Sequence, residues 1–328
     1  MTRPKVLIVT PAVASSNNGN WQTAWRWSRM LSGNYATRIA LEWRGEEADL
    51  LVALHARRSA GSIHAWADAR PRRPLAVVLT GTDLYRDIAV DARAQDSLQL
   101  ADRLVVLQEL GGRVLTEAQR RKTAVIFQST PARRALAKPV SRLRALMVGH
   151  LRDEKSPETY FAAARLLAGR PDILLDHIGA PLDARLGDAA RECMAACPNY
   201  RWLGALDHEA TRRRIQRAHV LVHASRMEGG AHVVMEAVRS GTPVIASRID
   251  GNRGMLGKGY AGCFAWGAAH RLAALLVKCR VSQGMADGFL AQLAAQCRAR
   301  AALFEPAREK SALIALVRQL LGKTRIGS

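Results

Sequence analysis

Long apolar runs are absent from this 328-residue chain. No uncharged stretch approaches the ~18 to 20 residues that a membrane-spanning helix requires, so the sequence predicts none. Arg3 and Lys5 precede the apolar run Val6–Val9, but Pro11 follows before the run reaches the length of a secretory signal. A buried first strand explains the run better, and we expect a cytoplasmic protein.

Cysteine is scarce, and its spacing carries no pattern. The five cysteines are odd in number and include no Cys-x-x-Cys pair, which argues against a disulfide framework and against a zinc site. The histidines that we expect to be solvated or packed show no metal-ligand spacing either: His55, His64, His177, His208, His219, His223 and His270. We therefore expect no metal and no other cofactor.

Acidic residues are fewer than basic ones: the chain has 28 aspartates and glutamates and 49 lysines and arginines, which gives a net charge of +21. Arginine makes up most of the basic residues and suits bidentate phosphate contacts, although codon usage explains such an excess equally well. The arginines are dispersed and aromatic residues are only 5% of the chain, too few for a base-stacking surface. An anionic partner is thus expected, and nucleic acid is disfavoured.

What the sequence does contain is a regular alternation of apolar runs and helical-period segments, which is typical of parallel α/β sheets. The predicted strands are Val6–Thr10, Arg38–Leu41, Leu50–His55, Leu75–Thr80, Leu104–Leu107 and Ala124–Phe127, then Ala145–Gly149, Ile173–Ile178, Tyr200–Leu203, Val220–His223 and Val244–Ala246. A Pro-containing basic stretch, Ser129–Arg142, separates the two series. The pattern and the length together predict two Rossmann-like domains.

The C-terminal segment Glu305–Leu321 has the apolar spacing of a helix that buries one face. We therefore divide the chain into an N-terminal domain (1–138), a C-terminal domain (139–304) and a terminal helix (305–328). A tryptophan-rich helix follows the first loop, and its Trp21, Trp25 and Trp27 are expected in the core.

The strongest candidate site is the segment Ser225–Glu236. A predicted strand ends there, Gly229 and Gly230 open a helix, and Glu228 and Glu236 lie eight positions apart. Eight helical steps turn the side-chain direction by only about 80°, so both carboxylates can line one pocket. The backbone N–H groups at the glycines are suited to a phosphate.

This segment resembles the Glu-x7-Glu signature of family-four GT-B glycosyltransferases, and the resemblance covers nearly the whole chain. It implies two Rossmann-like domains facing across a cleft, with the C-terminal helix returning to the first domain. It also implies that Glu228 holds the transferred sugar and that Glu236 binds the ribose of the nucleotide. The implied donor-binding residues are Gly149, His150, Gly229, Gly230, Ala231 and Glu236.

Gly149–Lys155 resembles the phosphate-binding motif of the same family. The resemblance makes Lys155 and Arg152 catalytic residues together with Glu228, because they would neutralise the leaving diphosphate. His150 stands where the family has arginine, so the residue that replaces this arginine is left open. No Asp-x-Asp motif occurs, which disfavours a metal-dependent GT-A enzyme.

A narrower group shares the finer pattern: Asn18–Asn20, Thr23–Trp27, Leu79–Tyr85 and Gly149–Lys155 resemble the selenosugar synthases of selenoneine biosynthesis. That resemblance implies selenophosphate as acceptor and a UDP-sugar, chiefly UDP-N-acetylglucosamine, as donor, giving a 1-seleno sugar. The acceptor-binding residues that we infer from it are Asn18, Gly19, Asn20, Arg26, Thr80, Gly81, Thr82 and Asp83.

Two other functions remain open. One is a conventional GT-B enzyme that transfers sugar to a hydroxyl of a lipid, polysaccharide or small molecule, with its basic surface against an anionic membrane. The other is a non-catalytic nucleotide-sugar or nucleic-acid binding protein. A hydroxyl acceptor requires a general base, and no carboxylate and histidine pair is recognisable in the first domain, which favours an acceptor that is already ionised.

Overall fold

The computed structural model describes residues 3–11 and 19–324 and divides into two compact units. The first unit contains the chain up to Ser129, the short segment Glu228–Gly230 and the chain from Pro306 onward. The second unit contains Thr130–Met227 and Ala231–Glu305. Each unit is built on one six-stranded sheet.

The sheet of the first unit is parallel throughout, in the order β2-β1-β3-β4-β5-β6. Central strands such as β3 are buried at every position because helices cover both faces, which explains their unbroken apolar runs. The strands are β1 (Lys5–Val9), β2 (Ala36–Ala40), β3 (Leu50–Leu54), β4 (Leu75–Leu79), β5 (Arg103–Val106) and β6 (Thr123–Val125).

The helices of the first unit connect these strands, and the last helix of the chain completes them. They are α1 (Gly19–Leu31), α2 (Ala60–Ala69), α3 (Ile88–Val90), α4 (Ala92–Leu100), α5 (Glu117–Arg121) and α13 (Pro306–Thr324), with a π-helical turn at Asp83–Asp87 and a 3₁₀ turn at Gly111–Val114. Trp27 of α1 shares a buried cluster with Leu313 and Val317 of α13. The predicted return of the C-terminal helix to the first domain is confirmed.

The second unit has a parallel sheet in the order β12-β11-β10-β7-β8-β9. Its strands are β7 (Leu143–Val148), β8 (Ile173–Ile178), β9 (Tyr200–Trp202), β10 (Val220–His223), β11 (Val244–Ser247) and β12 (Cys263–Phe264). Its helices are α6 (Pro157–Leu166), α7 (Ala184–Ala196), α8 (His208–Arg217), α9 (His232–Val238), α10 (Asp250–Leu256), α11 (Ala269–Val281) and α12 (Phe289–Arg300), with 3₁₀ turns at Asp153–Lys155 and Ala301–Phe304.

The predicted α/β class with two Rossmann-like domains is confirmed, and every predicted strand is present within a few residues of its expected bounds. Strand β12 was not predicted, because two residues are too few to produce a strand pattern. The prediction of a core position for Trp25 was wrong: its side chain is 45% exposed and stacks against the guanidinium of Arg29. Trp27 is buried as expected.

Among the described residues, no helix is long and apolar enough to span a membrane. All five cysteines lie within these residues, and each is a free, buried thiol.

Candidate active site

The predicted donor residues of the second unit lie where strands β7 and β10 end. In open parallel sheets ligands bind at the carboxyl ends of the strands, so this edge is the expected place for a nucleotide. The loop after β7 carries Gly149, His150, Arg152 and Lys155, and the segment after β10 leads into α9.

The backbone of the loop after β7 is held by its neighbour β8. Gly149 donates to the carbonyl of Ile178, and Leu151 donates to the carbonyl of Ala180, each at 2.9 Å. The approach is so close that a Cβ on Gly179 would lie 1.9 Å from the Gly149 oxygen, which only glycine avoids. The loop is therefore fixed as an extension of the sheet.

His150 is exposed, and its ring orientation is set by the same loop. Nδ1 accepts a hydrogen bond from the Ala180 N–H at 3.0 Å, so in the neutral ring the proton is on Nε2. Partial burial lowers the pKa of His150, and the charges of Arg152 and Lys155 lower it further. His150 thus offers a neutral N–H donor on the loop after β7.

Arg152 and Lys155 bring positive charge to this loop. The Arg152 side chain is 48% exposed. Lys155 ends the 3₁₀ turn, and its aliphatic carbons pack against Gly149, where a Cβ would lie 3.3 Å from the lysine Cγ. Ser156 follows in a left-handed conformation with φ 49° and accepts a hydrogen bond from the Trp266 indole at 2.8 Å. These contacts fix the backbone of the loop that carries Arg152 and Lys155.

Glu236 lies in the second turn of α9 and is buried, at 5% exposure. One of its oxygens, Oε1, pairs with Nε2 of His208 at 2.7 Å. This hydrogen bond raises the pKa of His208, against a smaller effect of partial burial. This partner was not predicted, because His208 is the first residue of α8, far from α9 in sequence.

The glycines of the predicted phosphate site are grouped with the first unit, whereas Glu236 belongs to the second. A Cβ on Gly229 would lie 2.5 Å from the Thr80 carbonyl carbon, so this position requires glycine. Ala231 is buried, and its N–H donates to the sulfur of Met255 at 3.2 Å. The shared pocket of Glu228 and Glu236 stays a prediction.

In the first unit, the loop after β4 contains the predicted acceptor residues Thr80–Asp83. Asp83 is fully buried and accepts hydrogen bonds from the N–H of Ala56 at 2.9 Å and from the N–H and hydroxyl of Thr80, each at 2.8 Å. A carboxylate so enclosed cannot contact an acceptor directly. The prediction for Asp83 is corrected accordingly: it shapes the loop that carries Thr80, Gly81 and Thr82.

The structure also corrects the expectation that the first domain has no carboxylate and histidine pair. His55, at the end of β3, lies 3.9 Å from Asp83 and 3.8 Å from Asp87. Its Nε2 is 3.1 Å from the Thr82 hydroxyl. No sequence spacing shows this pair, because adjacent strands β3 and β4 bring the residues together. The position of His55 directly after a buried strand was the one sequence feature that could have marked it as a candidate site residue.

Among the remaining acceptor predictions, Asn18 lies outside the described residues, and Gly19 and Asn20 begin α1. Arg26 forms a two-pronged ion pair with the buried carboxylate of Glu309, at 2.9 Å between Nε and Oε2. Its side chain is only 18% exposed. A role for Arg26 in acceptor binding stays a prediction, but its charge is already neutralised within the first unit.

Comparisons with known proteins agree with this architecture. Residues 128–278 match the family model of glycosyl transferases group 1. A comparison with curated protein sequences finds no match. The matched residues include the loop after β7, the segment after β10 and Glu236.

Solved structures show the same fold across almost the whole chain. Sucrose-phosphate synthase from Thermosynechococcus elongatus is 18% identical, with a TM-score of 0.73 over 98% of this chain and 100% of that one. HepE from Anabaena, in complex with UDP-glucose, is 14% identical, with a TM-score of 0.74 over 97% of this chain and 100% of that one. TarM from S. aureus is 12% identical, with a TM-score of 0.62 over 83% of this chain and 55% of that one.

The two parallel six-stranded sheets and these likenesses identify the fold as GT-B. Within this fold, residues 128–278 are similar to the glycosyl transferases group 1.

Proposed function

We propose that this protein is a selenosugar synthase, which joins selenium to the anomeric carbon of a UDP-sugar, chiefly UDP-N-acetylglucosamine, in selenoneine biosynthesis. The observation that carries the donor half of the proposal is the basic loop Gly149–Lys155 at the same sheet edge as the buried Glu236. HepE structures contain UDP and UDP-glucose, which supports a UDP-sugar for this chain.

The donor site works by charge and orientation. Lys155, Arg152 and the Nε2–H of His150 offset the negative charge that develops on the leaving diphosphate, the effect that contributes most in reactions of this kind. Glu236 accepts hydrogen bonds from the ribose hydroxyls. Glu228 holds the transferred sugar.

The reaction breaks the bond between the anomeric carbon and the UDP oxygen and forms a carbon–selenium bond. The selenium of selenophosphate supplies the electron pair, and UDP leaves with the electrons of the broken bond. Water then cleaves the selenium–phosphorus bond, so the products are the 1-seleno sugar, UDP and phosphate.

The state of the histidine and carboxylate group in the first unit supports an acceptor that needs no base. His55 is 1% exposed and Asp83 is fully buried, so neither is accessible to the hydroxyl of an acceptor molecule. Selenophosphate arrives already ionised and has a polarizable nucleophilic atom.

The proposal is tested by measuring UDP release from several UDP-sugars with and without selenophosphate, and by identifying the product by mass spectrometry. We expect rapid release only when selenophosphate is present, with UDP-N-acetylglucosamine preferred. Turnover with simple alcohols or lipid acceptors, and none with selenophosphate, would instead identify a conventional glycosyltransferase. Absence of turnover with every acceptor, alongside tight UDP binding, would identify a non-catalytic binding protein.

A further inference from the structure

His55 is a buried histidine with an unusual backbone conformation. Its φ is 73° and its side chain is 1% exposed. A non-glycine residue in the left-handed region is uncommon, and such residues cluster at functional sites, where the surrounding structure holds them. His55 follows β3 directly, at the same sheet edge as Thr80–Asp83.

The hydrogen bonds of the ring determine where its proton is. The N–H of Arg58 donates to Nδ1 at 3.3 Å, so Nδ1 carries no proton and Nε2 carries one in the neutral ring. Burial lowers the pKa of His55, more than the nearby Asp83 raises it, which keeps the ring neutral. The Nε2–H then donates to the Thr82 hydroxyl oxygen at 3.1 Å.

The neighbouring carboxylates are engaged by other groups. Asp83 accepts three hydrogen bonds from Ala56 and Thr80. Asp87 accepts from the guanidinium groups of Arg57 and Arg86, at 3.0 and 2.9 Å. His55 is therefore not arranged as a proton relay, and its effect passes through Thr82.

A threonine hydroxyl that accepts a hydrogen bond still has its own hydrogen, which points away from that donor and can be donated to another group. Thr82 is partly exposed, unlike the ring that binds it. We propose that His55 is a positioning residue that fixes the Thr82 hydroxyl as a donor to an oxyanion, the phosphate group of the acceptor. The identity of that oxyanion rests on the proposed function.

Four variants separate this role from a structural one. His55→Asn keeps a residue that tolerates the left-handed backbone but lacks the Nε2–H donor, whereas His55→Gln places an amide nitrogen near the Nε2 position. Thr82→Val removes the hydroxyl at constant size, and Thr82→Ser retains it. Inorganic phosphate is titrated into each variant with saturating UDP, so that the donor site is occupied.

We expect His55→Asn and Thr82→Val each to weaken phosphate binding about five- to tenfold, the effect of one lost hydrogen bond. The double variant should bind no more weakly than either single variant, because both remove the same interaction. Thr82→Ser should bind like the wild type, and His55→Gln should recover part of the loss. Side-chain NMR of the wild type should show the proton of His55 on Nε2.

A selenophosphate assay then separates the two proposals. The KM for selenophosphate should rise by the same factor in His55→Asn while the KM for UDP-N-acetylglucosamine is unchanged. If the wild type releases no UDP with selenophosphate, the proposed acceptor is wrong, and the phosphate titration and NMR still decide the role of His55. A proton on Nδ1, additive losses in the double variant, or no phosphate binding by the wild type would overturn the inference.

Discussion

At the scale of single residues, histidines complete groups that sequence motifs show only in part. His150 lies in the predicted phosphate-binding loop, His208 pairs with the predicted ribose-binding carboxylate, and His55 lies within hydrogen-bonding distance of a threonine hydroxyl. Hydrogen bonds fix which ring nitrogen carries the proton in His150 and in His55, and the partner of His208 is a carboxylate. The donor-site residues Glu236 and Lys155 can be tested directly.

Replacing Glu236 or Lys155 with alanine should weaken UDP binding. Each change removes a charged contact to the nucleotide, worth about 1.5 to 3 kcal/mol, or about a tenfold to hundredfold rise in Kd. Isothermal titration of UDP measures the effect, with Glu228→Ala as the matched control that should retain UDP affinity and lose turnover. Unchanged affinity in both variants would contradict the assignment of the donor site.

The pair between His208 and Glu236 should make stability depend on pH. Because the folded-state pKa of His208 is raised, the pair stabilises the protein fully below the ordinary histidine pKa, and this stability is lost as pH rises through the raised value. His208 is 69% exposed, so the gain over His208→Gln should stay below about 1 kcal/mol. Urea unfolding of both proteins at pH 5.5 and 8.5, ~1 unit below and ~2 above the ordinary histidine pKa, measures it. An equal difference at the two pH values would disprove the effect.

At the scale of elements, a single buried carboxylate ties the last helix to the first unit. Glu309 of α13 accepts from the Arg26 guanidinium, from the Trp27 indole at 2.7 Å and from the N–H of Ser129 at 2.8 Å. Ser129 is the last residue of the first unit before the chain enters the second. The apolar face of α13 packs against the first unit, and the hydrogen bonds of Glu309 fix the position of the helix along that surface.

Glu309→Ala should destabilise the protein by about 3 to 5 kcal/mol, because removing one partner leaves a partly buried arginine and an indole N–H unpaired. Glu309→Gln, which keeps the shape and one acceptor oxygen, should cost less. Denaturant unfolding measures both, and Arg29→Ala, a change to an exposed arginine on the same helix α1, is the control. A loss for Glu309→Ala no larger than that control would contradict the role of Glu309.

At the scale of the whole molecule, the charge of +21 is compatible with an anionic donor and acceptor but does not identify them. Exposed ion pairs such as Arg44 with Glu42 contribute little each, so the charge influences association more than folding. The positive groups that we propose for the donor site are the few on the loop after β7.

Activity should therefore survive treatment with EDTA. In the proposed donor site, Lys155, Arg152 and the His150 N–H supply the positive field that a divalent cation gives in GT-A enzymes, so we expect unchanged turnover after the chelator. Initial rates of UDP release before and after treatment measure this, with a metal-dependent GT-A enzyme assayed in parallel. A loss of activity restored by magnesium or manganese would show that the reaction needs a metal.

The sequence by itself determined the fold. Apolar runs such as Val6–Val9 and Leu50–Leu54 mark strands buried on both faces, and the spacing of Leu313, Leu316 and Val317 marks the helix that returns to the first unit. These patterns involve residues that are close together in sequence, so the sequence alone reveals them. Glu236 was predicted from the spacing of its segment and Lys155 from the resemblance of its loop to a family motif, and the roles of both residues stay predictions.

Only the tertiary structure decided how the candidate sites are completed. His55 meets Thr82 and Asp83 across two strands, and Arg26 meets Glu309 across 283 positions of sequence. Such pairings depend on strand order and helix packing, so no spacing in the sequence encodes them. For the same physical reason, Asp83 and Arg26 looked available to a ligand in the sequence, yet in the fold their charges are already engaged by other groups of the chain.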